Sequence, residues 1–418
     1  MTQAADIADE VRAWLEIQWD PELSLVEWRG RLADSGWGCP TWPQTWFGRG
    51  LPQALAERVA TEFERAGAVG TPAGGGIGLA APTILEHGSD DLKRRLLRPI
   101  VTGEHTWCQL FSEPGSGSDL AGLTTRADLD GDEWVITGQK VWNTSAHHAQ
   151  YGMLLARSDW DVPKHRGITY FAIEMQQPGV EVRPLRQMNG HASFNEVWFD
   201  EARVPVTNVV GEVGNGWAVA LATLAHERRF NPAPRTTGRR PGAKKGRAHR
   251  EAAAETLEHY EPYKWYPQRA GRVDLVPERA RATGRNHDPV LRQEMARLSE
   301  LVRVSQWTAQ RARIARALGR PPGPEGSLGK LGSSDIARAA AHLHGSIAGA
   351  HGMLQGDDDG TGGVVAEVLV SVPAVSIAGG TDEIQRNILG ERILSLPKEP
   401  QLDRDLPFRD VPRNTGRT

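Results

Sequence analysis

The sequence predicts an α+β chain of several domains: an N-terminal helical domain, a central antiparallel β-barrel or sandwich, and a C-terminal four-helix bundle. Three observations carry this. Apolar residues recur every three or four positions through most of the first hundred residues, as on one face of a helix. Between about residues 104 and 211 the pattern changes to short alternating runs between Gly, Pro and Asp breaks, which reads as strands. Beyond 212, long helical runs return. The expected domains are therefore 1–103, 104–211 and 212–400, with an insert at about 231–287 and a polar tail at 401–418.

The first domain is read from its helices. Asp6 to Trp19 carries Val11, Trp14, Leu15 and Trp19 at helical spacing, and Ser24 to Asp34 continues with Leu25, Trp28 and Leu32. Gly36 to Gly50 is too rich in Pro, Gly and Trp for a regular element and reads as a loop packed by its indoles. Ala54 to Ala66 is amphipathic, with Leu55, Val59 and Phe63 four apart. The run Gly74-Gly75-Gly76-Ile77-Gly78 follows a helix, not the strand that a dinucleotide-binding turn requires, and reads as a helix-to-helix connection. Ser89 then caps a helix reaching Leu97. Asp90 and Asp91 stand in its first turn and Lys93, Arg94 and Arg95 follow, an order that complements the helix dipole.

The middle domain opens with a β-prone run from Trp107 to Phe111, and the turn Glu113-Pro114-Gly115-Ser116-Gly117-Ser118-Asp119 follows it. Thr124 to Asp128 and Glu133 to Asn143 alternate as antiparallel strands, the second with Trp134, Ile136 and Trp142 on one face. Gly152 to Ala156, Gly167 to Ile173 and Asn195 to Phe199 supply further strands. His147 and His148 form a pair without a Cys or acid at metal-ligand spacing, so a polar loop or a substrate contact is preferred to a metal site. In the last third, Gly216 to Arg229 is an almost wholly apolar helix ending in charge. Its Val219 to Arg229 portion forms the expected bundle with Val290 to Arg316, Ser333 to Gly349 and Glu383 to Leu394.

Composition removes several function classes. The net charge of -3 and pI near 6.5 make no electrostatic case for nucleic acid or a membrane surface. No apolar run has membrane-spanning length, and no secretory signal stands at the N-terminus. Cys39 and Cys108 are the only cysteines, which suggests a reducing compartment and a cytoplasmic protein. The Glu113–Asp119 turn offers backbone N–H groups and small hydroxyls beside the indole of Trp142, a combination suited to a planar, hydrogen-bonding cofactor. Alternatively it is a Gly/Ser hairpin turn beside a core Trp.

The motifs EPGSGSD and DGDEWVITGQKVW, with a distant GGTDEIQR, occur here in the order in which they occur in acyl-CoA dehydrogenases, and the chain resembles that family from about residue 10 to 400. The resemblance implies FAD as cofactor, with Phe111, Ser112, Gly117, Ser118, Trp142 and Thr144 lining the flavin ring or the substrate thioester. Arg281, Thr381 and Glu383 match further flavin contacts, and Ser118 and Arg228 match positions near the substrate. Family members place the base that removes the α-proton at one of two sites. One of them is Gly379 here, which has no carboxylate but keeps a backbone N–H for the thioester oxygen. The other corresponds to Glu227, followed by Arg228. Without the resemblance, Glu227 reads better as an exposed helix-end carboxylate paired with Arg228 or Arg229; at the end of a buried helix, desolvation would instead make a carboxylate a stronger base.

The implied reaction is α,β-dehydrogenation of an acyl-CoA thioester, the β-hydride passing to the flavin and electrons onward to an electron-transfer flavoprotein. The implied assembly is a homo- or heterotetramer, a dimer of dimers. Two departures stand out. Arg235 to Arg250 has seven Lys or Arg and no acid, and reads as a solvated loop, a contact to CoA phosphates or, least of all, a nucleic-acid site. The Arg-x-x-Phe pair that grips the flavin pyrophosphate in the family is reduced to Arg279 and Arg281 without the Phe. Tyr260 to Tyr266 gathers three tyrosines and a Trp that suit a bulky substrate pocket, a subunit interface or core packing. The basic insert, Glu227 and the ending GGTDEIQRNILGERIL are similar to actinobacterial members, several of which act on steroid-derived thioesters. Rival readings are a partner subunit of a heteromeric dehydrogenase and a flavin monooxygenase on the same fold.

Overall fold

The computed structural model describes residues 2–227, 245–320, 323–356, 362–400 and 403–412. They fall into two compact units: Met1–Leu185, Ala192–Pro262 and Leu402–Thr418 form the first, Arg186–His191 and Tyr263–Gln401 the second.

The first unit begins with helices α1 (Thr2–Gln18), α2 (Leu25–Ser35) and α3 (Gln53–Ala66). Ser24 starts α2 through a capping box: its side chain accepts the Glu27 N–H while Glu27 reaches back to the Ser24 N–H. Leu25, Trp28 and Leu32 then face one core with Val11, Leu15, Val59 and Phe63. Trp28 sits at its centre, its rings close to Trp14, Trp19 and Phe63, and its indole N–H donates to the Val69 carbonyl at 2.6 Å. Truncating so buried an indole would cost roughly 3–5 kcal/mol. The glycine run continues as a π-helical turn, Gly76–Ala80, directly into α4 (Ala81–His87). Ser89 caps α5 (Asp90–Thr102), which runs past Pro99 because Leu96, Leu97, Ile100 and Val101 are all buried on it.

Seven strands follow: β1 (Trp107–Leu110), β2 (Arg126–Asp130), β3 (Glu133–Thr144), β4 (Tyr151–Arg157), β5 (Ile168–Glu174), β6 (Val180–Leu185) and β7 (Phe194–Pro205). Their order is β1-β4-β2-β3-β7-β6, with β5 paired to β4. Most pairs are antiparallel, but β1 runs parallel to β4, which the long crossover between them allows. The strand β6 escapes the sequence pattern because Pro184 interrupts it; at the end of the sheet order the missing N–H is tolerated. Strands β4 and β5 are buried on both faces. Met153, Leu155, Ile168 and Tyr170 join the helix-side core, while Leu154, Phe171 and Ile173 join the core with Ile136, Val197 and Phe199.

Helix α6 (Gly216–Glu227) packs on α4 and β5. Its first residue must be small, since a Cβ on Gly216 would lie 2.6–2.8 Å from the backbone of Ile168, Thr169 and Tyr170. Helix α7 (Arg247–Tyr260) docks on α2: Ala248 donates to the Pro21 carbonyl, Glu251 accepts the Leu25 N–H, and Glu255 pairs with Arg29 at 2.6 Å. The basic stretch expected as a loop therefore turns helical by Arg247; its residues 235–244 lie outside the described residues. The tail is not simply solvated. Phe408 is buried under the Arg157 guanidinium, 3.4 Å from its ring centroid, and beside Trp160.

The second unit contains α8 (Tyr266–Arg269), α9 (Val276–Ala282), α10 (Pro289–Ala317), α11 (Glu325–Ala348), α12 (Val364–Ser371) and α13 (Asp382–Arg392). Val276, Leu291, Leu298, Leu343 and Ile347 form its main core. Of the four helices expected to bundle, α10, α11 and α13 belong here and α6 to the first unit. Trp265 is buried, with Tyr266 edge-on and His191 stacked near it, so this Trp serves packing. No helix among the described residues is long and apolar enough to cross a membrane.

Candidate active site

The turn after β1 is held by a buried ion pair. Glu113, 7% exposed, accepts hydrogen bonds from the Thr124 and Thr125 N–H groups at 2.6 and 2.8 Å and from Lys140 Nζ at 2.8 Å. Lys140 Nζ also donates to the Phe111 carbonyl at 3.0 Å. Burial alone would push the Glu113 carboxyl up, but the charge and hydrogen bonds of Lys140, with those of Thr125 and Thr124, hold it down at about 2. Burial pulls Lys140 below the usual lysine range, against the opposing pull of Glu113. The pair thus fixes the start of the turn to β3. Its far side remains open: Gly117 and Ser118 are exposed, and nothing lies within 4 Å of a Cβ built on Gly117.

Trp142 departs from its expected face. The β3–β7 register slips between Ile136 and Gly138 and again between Lys140 and Asn143, so the alternation that buries Trp134 and Ile136 does not reach it. Trp142 has φ +64°, a left-handed conformation unfavourable for a bulky residue, and is 56% exposed, with an edge contact to Phe194. Thr144 ends the strand, half-buried. Phe111 is buried against Tyr170, and the Ser112 carbonyl accepts the Val141 N–H at 2.9 Å.

Glu227 is the last residue of α6. Gly216, Val219, Ala220 and Thr223 form the buried stripe of that helix, and Glu227 lies four residues beyond Thr223 on the same face. Thr223 anchors the stripe through hydroxyl contacts with Thr83 (3.0 Å) and Tyr170 (3.2 Å). Glu227 itself is half-buried, and the side-chain amide of Gln109 on β1 donates to its Oε2 at 3.5 Å. Arg228 lies outside the described residues.

The remaining predicted residues belong to the second unit. Gly379 is exposed with φ +69°, and its carbonyl accepts from Gln385. Thr381 caps α13 by accepting the Ile384 N–H, and Glu383 on its first turn is exposed beside Arg386. The same turn is tethered by Asp382, whose carboxylate takes Lys330, Ser334 and Arg338 and is held well below the usual range by them against the opposing cost of burial. Arg281 is exposed on α9, in the last turn with Arg279. Thus Phe111, Ser112, Gly117, Ser118, Trp142, Thr144 and Glu227 share one unit, while Arg281, Gly379, Thr381 and Glu383 share the other.

Four contributors escaped the sequence reading: Glu113, Lys140, Gln109 and Asn143. The available signal was a polar residue in an otherwise apolar strand, such as Gln109 between Trp107 and Phe111.

Comparison with known proteins points the same way for all three regions. Family models for acyl-CoA dehydrogenases match the N-terminal domain at residues 2–104, the middle domain at 108–202 and the C-terminal domain at 273–394. The chain is 36% identical over 378 residues to acyl-CoA dehydrogenase IpdE1 of Mycobacterium tuberculosis, a match covering 89% of this chain and 88% of that one. It is also 36% identical over 373 residues to acyl-CoA dehydrogenase FadE34 of the same organism, covering 88% of this chain and 46% of that longer relative. Among solved structures it is similar to the ChsE4-ChsE5 complex from Mycobacterium tuberculosis, at 26% identity and a TM-score of 0.63, over 95% of this chain and 98% of that one.

Proposed function

The chain belongs to the acyl-CoA dehydrogenase family, and on that premise we propose that it catalyses FAD-dependent α,β-dehydrogenation of an acyl-CoA thioester with Glu227 as the base. The observation that carries the reading is the place of one carboxylate. Glu227 closes the buried stripe of α6, partly shielded from water, in the same unit as the Glu113–Ser118 turn and the Trp142 bulge. A carboxylate so shielded is a better acceptor for a weakly acidic carbon-bound proton. That proton leaves only if charge developing on the thioester oxygen is met by fixed donors, and the Gly379 N–H is proposed as one of them.

The first unit suits a planar cofactor. The bulge leaves the Trp142 indole outside the core, and the buried ion pair steadies a turn whose Gly117 and Ser118 are open. Phe111, Ser112, Gly117, Ser118, Trp142 and Thr144 would hold FAD, with Arg281, Thr381 and Glu383 as further contacts. When bound, FAD supplies the acceptor for the β-hydride. Ser118 and Arg228 are assigned to the substrate. The acyl group is proposed to be fatty or bulky and steroid-derived, electrons to pass to an electron-transfer flavoprotein, and the chain to work in the cytoplasm as a homo- or heterotetramer, with domain boundaries near 103, 211 and 400.

A second reading, a subunit that needs a partner chain to complete its flavin site, is favoured by the reduction of the pyrophosphate grip to Arg279 and Arg281 without the Phe. The similar ChsE4-ChsE5 structure is itself a complex. The test is the visible spectrum of the chain purified alone, before and after anaerobic addition of fatty and steroid-derived acyl-CoA thioesters, for wild type and Glu227→Gln. Bound flavin that bleaches in the wild type, with turnover falling at least about a hundredfold in a flavin-loaded Glu227→Gln, is expected. Unchanged turnover would remove Glu227 as the base, and a colourless protein would favour the partner-dependent reading.

A further inference from the structure

We propose that Gln109 is a positioning residue for Glu227, anchored by Asn143 at the edge of the Trp142 bulge. The inference rests on the reading of Glu227 as the base. Along β1, Trp107, Gln109 and Phe111 share one face, and Trp107 and Phe111 lie in the helix-side core while Cys108 and Leu110 lie in the other. A half-buried amide in the middle of an apolar face needs a polar partner to offset its lost hydration. Here the Gln109 amide is directed to Oε2 of Glu227, 3.5 Å away. Such contacts are often long before substrate closes the site and shorten afterwards.

The strand that carries Gln109 is held in turn. Asn143 Nδ2 donates to the Gln109 carbonyl at 2.7 Å, and Asn195 Nδ2 donates to the Asn143 carbonyl at 2.9 Å. Both asparagines are almost wholly buried, so these bonds are shielded from exchange with water. Asn143 directly follows Trp142, where the β3–β7 register slips. Three amides therefore run from the bulge to the carboxylate, and the strained turn at Trp142 is fastened to the position of Glu227. One donor on a carboxylate oxygen restricts its rotation and favours its ionised form, ready to accept a proton.

The test compares Gln109→Met, which keeps length and apolar packing but deletes the donor, with Gln109→Glu and Glu227→Gln, all as holoenzyme. Losing the donor should move the rising limb of the kcat/KM–pH profile upward by about 0.3–1 unit and lower kcat about tenfold, with KM within about twofold. Gln109→Glu sets two carboxylates together and should move the limb further in the same direction, which keeps the proposal testable if Gln109→Met folds poorly. Independently of turnover, the infrared carboxylate band that disappears in Glu227→Gln should titrate at higher pH in both Gln109 variants. A limb and a band that stay in place would overturn the role of Gln109. Full turnover in Glu227→Gln would instead overturn the base assignment beneath it, so the two failures are separable.

Discussion

Lys140 Nζ stands 2.8 Å from Glu113 Oε1, with the two side chains 0% and 5% exposed. They are 27 residues apart in sequence, and their contact joins the turn after β1 to the middle of β3.

Removing one partner leaves the other charged and buried. Glu113→Gln should therefore destabilise the first unit by about 3–5 kcal/mol. Combining Glu113→Gln with Lys140→Met should cost much less than the sum of the single changes. Urea midpoints across this double-mutant cycle give the coupling; additive losses would show that the pair does not act as one.

The same pair predicts an acid limb. Because the folded Glu113 carboxyl is held at about 2, below its ordinary 4.5, its stabilising contribution is complete above about pH 4.5 and lost as the pH falls toward 2. The stability gap between wild type and Glu113→Gln should be widest near pH 6 and narrow by pH 3. Denaturant titrations at the two values measure it, and a constant gap would contradict the assignment.

Trp142 holds a backbone conformation that costs a bulky residue on the order of 1–3 kcal/mol. Trp142→Gly relieves that strain while losing the edge contact to Phe194, so apoprotein stability should change by less than about 1 kcal/mol. Flavin affinity, read by fluorescence titration, should weaken about tenfold or more. A large loss of stability with flavin affinity intact would assign the indole to packing.

What could be read along the chain was what depends on near neighbours. Ser24 and Glu27 cap α2 because they are three residues apart, and Ser89 caps α5 the same way. The inward placement of Glu227 was not legible in this way, since Gly216 to Arg229 is apolar nearly all round and only the packing of α6 picks out the stripe of Gly216, Val219, Ala220 and Thr223 that leads to it. Period-two alternation located most strands but gave Trp142 the wrong face, because two bulges reset the register before it.

Sequence by itself therefore determined most of the long helices, most of the strands and the motif order that marks the family. Tertiary structure alone decided that Lys140 reaches Glu113, that Gln109 reaches Glu227 from 118 residues away, that β1 lies parallel to β4, and that Phe408 returns to Arg157. The division follows from the range of the forces. Capping and periodicity are set within a turn or two of chain, whereas a buried polar group takes its partner from whatever strand or helix the closing core brings within about 3 Å.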